Sequence, residues 1–391
     1  LGKLYLIQKV KMKRLLFTGI LFLQIIPIMG QVYQTADKKA SITTIKLFNN
    51  LFKVLPEGIL FGHQDDLAYG LGWEYIPGKS VIQDAVGEYP AMYGWELGDL
   101  ELDALINLDS VPFKKMTSFI QEGYEKGGII TISWHANNPV TGKNAWDIGG
   151  NAVASIIPGG EKHALYKSWL DKVAVFMLGL KNNKGEYIPV IFRPFHEFTG
   201  NWFWWCQNVC TPEEYKALWK FTFDYLTNTK QVHHLLYAYN PEKFENEAGY
   251  LQYYPGDEYV DIMSFDFYQY GDPSNNSDFE NTLDKRLGIL TEVAKKHKKL
   301  PALAETGFLN IPYAEWFTKK LMKGIGNHQI SYIHLWRDGG LVNGNGKYRF
   351  APSQDHFIPV GRDPSFMDFY KLYISNKFIF EKKARDLKLY Q

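Results

Sequence analysis

A glutamate that ends an apolar run must either be paired or react, and this chain sets two such residues among aromatic rings. Glu197 follows Val190-Ile191-Phe192-Arg193-Pro194-Phe195-His196, and Glu305 follows Ala302-Leu303-Ala304. Two carboxyl groups facing one bond can cleave a glycoside, one protonated at the departing oxygen and one ionised at the anomeric carbon. A gap of about 5–5.5 Å between them would give retention through a covalent glycosyl-enzyme, and a wider gap inversion. The plainer reading is that either Glu is held in a buried ion pair by Arg193 or Arg337. Other apolar runs end in His63-Gln64-Asp65-Asp66, Trp95-Glu96, Trp134-His135-Ala136-Asn137-Asn138, Tyr239-Asn240, Asp266-Phe267-Tyr268 and Trp336-Arg337-Asp338. Rings beside hydrogen-bonding groups suit a sugar, whose C–H faces stack and whose hydroxyls seek carboxylates, amides and guanidinium. The 391 residues include 11 Trp, 25 Tyr and 26 Phe, a number that a large core would also use.

These ends must be brought together by the elements behind them. Eight apolar runs occur, at 58–64, 91–98, 128–137, 188–197, 234–240, 260–268, 300–306 and 330–338. Helix-like stretches at 110–126, 164–181, 213–227, 281–297 and 311–323 lie between them. Asp109-Ser110 and Thr211-Pro212-Glu213-Glu214 read as helix N-caps. Near-continuous apolar strands alternating with helices indicate a parallel sheet buried on both faces. Their number and spacing fit an α/β fold of the (β/α)8 type, a TIM barrel forming a single catalytic domain over residues 31–391. An open doubly wound sheet fits less well, because Gly62-His63-Gln64-Asp65 is no phosphate-binding glycine loop. In the barrel, strands four and seven lie across the mouth from each other, so Glu197 and Glu305 would converge. Residues 339–391 read as a long last loop and a closing helix.

Charge and composition narrow the partners. Lys+Arg number 43 against 42 Asp+Glu, which leaves no basic field for nucleic acid or an anionic membrane. Lys9, Lys11, Lys13 and Arg14 precede an apolar stretch that ends at Ile28-Met29-Gly30, the pattern of a secretory signal over residues 1–30. Met12 reads as the natural start, which would put residues 1–11 upstream of it. Removing residues 1–30, with Lys3 and those four basic groups, leaves 38 basic against 42 acidic residues and a formal charge of −4. The expectation is an exported protein, periplasmic or extracellular, with no membrane attachment after cleavage and an undetermined oligomeric state. Cys206 and Cys210 would form a small loop disulfide in such a compartment. Asp65 and Asp66 lack the further oxygen ligands that calcium needs, and no metal or cofactor is expected.

The run from Arg193-Pro194-Phe195-His196-Glu197 through Gly200-Asn201-Trp202-Phe203-Trp204-Trp205 resembles glycoside hydrolase family 26. Ala304-Glu305-Thr306-Gly307, Leu335-Trp336-Arg337-Asp338, Gly62-His63-Gln64-Asp65-Asp66 and Trp134 to Pro139 fit it too, and the resemblance covers about residues 40–380. It implies a retaining barrel glycosidase, most of whose relatives are β-1,4-mannanases acting on mannan, galactomannan or their oligosaccharides. By that resemblance Glu197 would be the acid/base and Glu305 the nucleophile. His196 would hydrogen-bond the nucleophile, and Tyr268 would touch it and the reactive sugar. Trp336 would form the platform at subsite −1, His135 would bond that sugar's hydroxyls, and Arg337 would hold the sugar at −2. Trp202 would stack on the leaving-group side, and Trp146 would serve the donor side.

Each role has a plainer counterpart. Tyr268, His196 and Trp336 would also serve as core groups, and Arg337 would pair with Asp338 or Glu96. Of Trp204 and Trp205, one would line the cleft and the other pack beneath it, while Asn137 and Asn138 would cap a turn. The same machinery on β-1,3-xylan or mixed-linkage glucan, and a silent glycan-binding protein, are the competing functions. Loops 100–109 and 341–355 would decide between endo action and mannobiose release.

Overall fold

Successive side chains on a strand point to opposite faces, so a run that is apolar throughout must be covered on both. The computed structural model describes residues 32–339 and 355–391. The export segment expected at 1–30 and most of loop 341–355 lie outside those residues. Each of the eight runs forms a strand: β1 (Ile59–Gln64), β2 (Met92–Glu96), β3 (Ile129–Trp134), β4 (Val190–Pro194), β5 (Leu235–Tyr239), β6 (Ile262–Gln269), β7 (Leu300–Phe308) and β8 (Tyr332–Leu335). Every neighbouring pair is parallel, and β8 closes onto β1 from Leu60↔Tyr332 to His63↔Leu335. The result is the expected eight-stranded barrel.

Two apolar layers follow from strand alternation. Leu60, Met92, Ile191, Leu236, Ile262, Leu300 and Ala302 fill the barrel, and helix α1 (Ile42–Val54) packs on this layer through Leu47, Phe48 and Leu51. Phe61, Tyr93, Ile130, Phe192, Tyr237 and Leu303 face outward into the helix-covered layer. That cover includes α2 (Phe113–Glu125), α3 (His163–Gly179), α4 (Pro212–Asp224) and α5 (Asp278–His297). Each large side chain so buried contributes about 1.5–3 kcal/mol.

Local signals succeed or fail for identifiable reasons. Thr211 caps α4 as expected, in a reciprocal capping box with Glu214. Asp109-Ser110 caps nothing: α2 starts at Phe113, because Pro112 forces the residue before it out of the helical region. The stretch 311–323 becomes a wide-turned π helix at Phe317–Met322. Beyond residue 339 the described chain holds α6 (Phe366–Ile374), β9 (Phe378–Ile379) and α7 (Glu381–Asp386), rather than one closing helix. β9 pairs with Ile59 and Leu60 of β1, and a two-residue strand is too short to leave an alternation signal. No described helix is long and apolar enough to cross a membrane.

One irregularity governs the mouth. Phe265 pairs with Leu303, but the next residue, Asp266, pairs with Glu305, and β8 shows the same one-residue shift against β7. Ala304 is therefore an extra residue, a bulge. Ala302 and Ala304 lie in the barrel interior and Leu303 outside it, so unbroken alternation would send Glu305 outward to the helices. The bulge turns it back into the barrel.

Gly94 of β2 lets Gln64 and His334 meet inside the barrel at 3.1 Å, and a Cβ there would collide with both. Gly94→Ala is expected to cost about 1–3 kcal/mol of stability, measured by equilibrium denaturation; an unchanged midpoint would contradict this packing.

Candidate active site

Strand β4 points Ile191 and then Arg193 into the barrel, with Phe192 outside. Past Pro194 the backbone takes two left-handed turns, at Phe195 (φ 52°) and Glu197 (φ 54°). Neither residue is glycine, so the neighbours must hold this path. Glu197 N–H donates to the Asn240 carbonyl at 2.7 Å, Tyr215 O–H to the Phe195 carbonyl at 2.9 Å, and Trp205 Nε1 to the His196 carbonyl at 2.7 Å. The carboxylate end is fixed by Trp202, whose Nε1 donates to Glu197 Oε2 at 2.8 Å.

Glu305 arrives from the opposite side of the mouth. Arg193 Nη2 donates to its Oε1, and Tyr268 O–H to its Oε2 at 2.8 Å. Arg193 Nη1 reaches Asp266 Oδ2 at 2.9 Å, and Asn240 Nδ2 donates to that same oxygen at 2.7 Å. One oxygen each of Glu197, Asp266 and Glu305 lies within 4.8 Å of the others, and among the described residues this is the one cluster suited to a metal ion. The guanidinium of Arg193 already supplies the cluster with a cation.

Proximity and dehydration separate the protonation states. Loss of water around the half-buried Glu197 carboxyl, and then the charge of Glu305, push it up to about 7. Burial, with Glu305 and Glu197 nearby, pushes Asp266 upward against the pull of Arg193, but the guanidinium and the Asn240 amide that both donate to its Oδ2 favour the anion. The arrangement thus holds a proton on Glu197 near neutral pH and offers Glu305, bound to two donors, as its partner. A proton donor and a carboxylate facing one space can do acid-assisted nucleophilic displacement.

The walls combine rings and fixed polar groups. Glu96 accepts from Ser133 Oγ (2.5 Å), Gly98 N–H (2.6 Å) and His135 N–H (2.7 Å), and meets His135 Nδ1 at 2.9 Å. Burial opposes a charged His135, but Glu96 prevails and raises it. Trp146, 46% exposed, stacks on His135 with centroids 5.3 Å apart, and Phe203 and Trp336 meet the same imidazole edge-on at 5.2 and 6.3 Å. Arg337 Nε pairs with Asp109 Oδ1 at 2.8 Å.

Glu197, Glu305, Tyr268, His135, Trp202, Trp336 and Trp146 are thus gathered around one opening, with Arg337 on its wall. Several finer expectations change. His196 does not touch Glu305: its Nε2 meets His135 Nε2 at 3.0 Å, and Arg193 and Tyr268 occupy Glu305 instead. Burial, then Arg193 and His135, drive His196 well below the usual range, so it is neutral. Arg337 takes Asp109 rather than Asp338 or Glu96 as its ion-pair partner. Trp204 and Trp205 are both fully buried, so neither lines the cleft. The Cys206–Cys210 staple is not formed: the buried thiols point to different carbonyls, of Glu197 (3.4 Å) and Trp205 (3.3 Å), and burial pushes both up to about 12. Asn138 does cap a turn, through Val140 and Thr141 N–H. Asp65 accepts from Tyr69 O–H at 2.5 Å and Asp66 from Ile82 N–H at 3.0 Å, so both serve the loop after β1.

The roles of Asp266, Asn240 and Phe203 escaped the sequence reading. Asp266 and Asn240 stood among the strand-end residues, and alternation from Ile262 would have aimed Asp266 inward. Nothing local distinguishes Phe203 from its buried neighbours.

The model of glycosyl hydrolase family 26 matches residues 36–331. A mannan endo-1,4-beta-mannosidase of Bifidobacterium adolescentis is 34% identical over 287 residues, 71% of this chain and 28% of that protein. The enzyme of the same name from Bacillus subtilis is 29% identical over 256 residues, 63% of this chain and 64% of that one. The matches therefore span less than two thirds of these relatives' lengths. Among solved structures, a GH26 beta-mannanase from Bacteroides ovatus superposes with a TM-score of 0.83 at 40% identity, covering 90% of this chain and 98% of that one.

A carboxyl group raised on folding destabilises the fold progressively as pH climbs from its unfolded value toward its folded one. For Glu197 that window runs from the ordinary Glu range to about 7. Glu197→Gln is therefore expected to stabilise the fold by about 1–3 kcal/mol at pH 8 and by almost nothing at pH 4. Denaturant titrations at the two pH values check this, and equal effects at both would refute it.

Proposed function

The chain belongs to glycosyl hydrolase family 26, and on that premise we propose that it is a retaining β-1,4-mannanase acting by double displacement. The observation that carries the reading is the carboxyl pair: Glu197 and Glu305 oxygens within 4.8 Å, on facing strands, with Glu197 raised to about 7. That spacing favours the retaining geometry of about 5–5.5 Å over the water-sized gap of inverting enzymes.

Glu305 attacks the anomeric carbon as a carboxylate, oriented by Arg193 and Tyr268. Glu197 gives its proton to the departing oxygen, then as a carboxylate takes one from the water that opens the glycosyl ester. Trp336 supports the sugar at −1, whose hydroxyls reach His135, and Arg337, braced by Asp109, serves −2. Trp202 orients Glu197 and faces the leaving group, while Trp146 extends the donor side. The substrates are mannan, galactomannan or manno-oligosaccharides, in keeping with the names of the relatives. The basic and apolar start of the sequence fits export to where such polysaccharides lie.

The deciding experiment is product chromatography on linear mannan, galactomannan, β-1,3-xylan and lichenan. A ladder of manno-oligosaccharides is expected; mannobiose alone from the outset would mark a blocked cleft. Release from xylan or lichenan but not mannan would overturn the substrate, and binding without any release would overturn the enzyme. Glu197→Ala and Glu305→Ala should fold yet lose about 10³-fold or more in turnover of mannan. Trp202→Phe removes an N–H that favours ionised Glu197, so the alkaline limb of kcat/KM, near 7 in the parent, should move upward. A limb that stays in place or moves down would contradict Glu197 as the acid.

A further inference from the structure

Asp266 has no part in the displacement described above, yet it is fully buried, one residue from the β6–β7 register shift and directly opposite Glu305. Its Oδ2 takes Arg193 Nη1 at 2.9 Å and Asn240 Nδ2 at 2.7 Å, and Asn240 is itself held by Ser264 Oγ at 2.6 Å. Among the described residues, its Oδ1 has no hydrogen-bond partner. Arg193 thus bridges two carboxyl groups, of which one reacts and one does not.

We infer that Asp266 is a positioning residue that keeps Arg193 paired while Glu305 loses its charge in the covalent step. The inference rests on the retaining reading. As the Glu305 oxygen bonds to C1, the C1–O bond breaks, its electron pair leaves on the glycosidic oxygen, and that oxygen takes the Glu197 proton. The negative charge that began on Glu305 ends on Glu197. Glu305 is then a neutral ester, and Arg193, 3% exposed, has lost one of its two partners. A buried cation left without a counter-ion is costly. Asp266 prevents that, so it favours the glycosyl-enzyme over the free enzyme. In the second step Glu305 regains its charge whether Asp266 is present or not. The two half-reactions therefore depend on Asp266 unequally.

The test uses the full chain and a 2,4-dinitrophenyl β-mannobioside, with burst kinetics resolving glycosylation from deglycosylation. Asp266→Asn keeps the shape and removes the charge. It is expected to slow glycosylation about 10²-fold and leave deglycosylation unchanged or faster, so that the burst disappears. Asn240→Ala, which loosens Asp266 without removing its charge, should shift the same balance by about five- to tenfold. If Asp266→Asn does not fold, the asymmetry in Asn240→Ala decides. Glycosylation within about threefold of the parent, or equal slowing of both steps, would overturn the inference. Trapping with 2-deoxy-2-fluoro-mannosyl fluoride separates the two levels. If the parent is labelled on Glu305 and Asp266→Asn is labelled as fast, this inference alone falls. If the active parent forms no adduct at Glu305, the retaining reading falls and takes the inference with it.

Discussion

Three carboxyl groups with oxygens within 4.8 Å of one another, two of them buried, repel strongly when ionised. At an effective dielectric of about 20, each ionised pair at that distance costs about 3–4 kcal/mol. Arg193 makes the cluster tolerable, and its place is set by the parity of β4, which turns residues 191 and 193 inward together. The guanidinium binds two of the three groups and leaves Glu197 to relieve the remaining repulsion by keeping a proton. One arginine thus separates the two carboxyls it bonds from Glu197, which burial and the charge of Glu305 push up to about 7. Removing it would leave two buried carboxyls without their counter-ion, a loss to fold and site alike.

The second requirement is a backbone path that no helix or strand supplies. Two non-glycine residues in the left-handed region, Phe195 and Glu197, cost about 1–3 kcal/mol each. The aromatic residues that follow hold that path. Trp205 and Tyr215 each donate to a carbonyl of the turn, Trp202 holds the carboxyl, and Trp204 anchors to the Ala136 carbonyl of the neighbouring loop at 2.8 Å. Much of the aromatic richness is therefore scaffolding for the Glu197 turn, while among the described residues Trp146, Trp202 and Trp336 around the mouth are placed to meet a ligand.

The barrel was legible because parallel strands buried on both faces leave unbroken apolar runs, and all eight were visible. The two glutamates were legible as charges ending such runs, and Tyr268 donates to Glu305. Other features depend on contacts that no local pattern encodes. The bulge at Ala304 leaves Ala302-Leu303-Ala304-Glu305 looking like an ordinary strand end. His196 sits beside the acid in sequence, yet the arginine three residues earlier reaches Glu305 in its place. Cys206 and Cys210 are spaced as a staple would be, but each thiol faces a carbonyl of its own. Asp109 resembled a helix cap, but Pro112 sets the helix start at Phe113, and Asp109 instead pairs with Arg337, more than 200 positions away.

The extra residue in β7 also bears on how such a chain can vary. The loops at the mouth can lengthen or shorten while the strands stay in step, since each loop begins and ends on fixed pairs. β7 lacks that freedom. Deleting one residue around Ala304 would restore even pairing with β6 and β8 and turn Glu305 toward the helices; inserting another there would break the ladder that closes the barrel. Length changes compatible with this site therefore belong in the loops, and what β7 must keep is a residue count rather than a particular side chain.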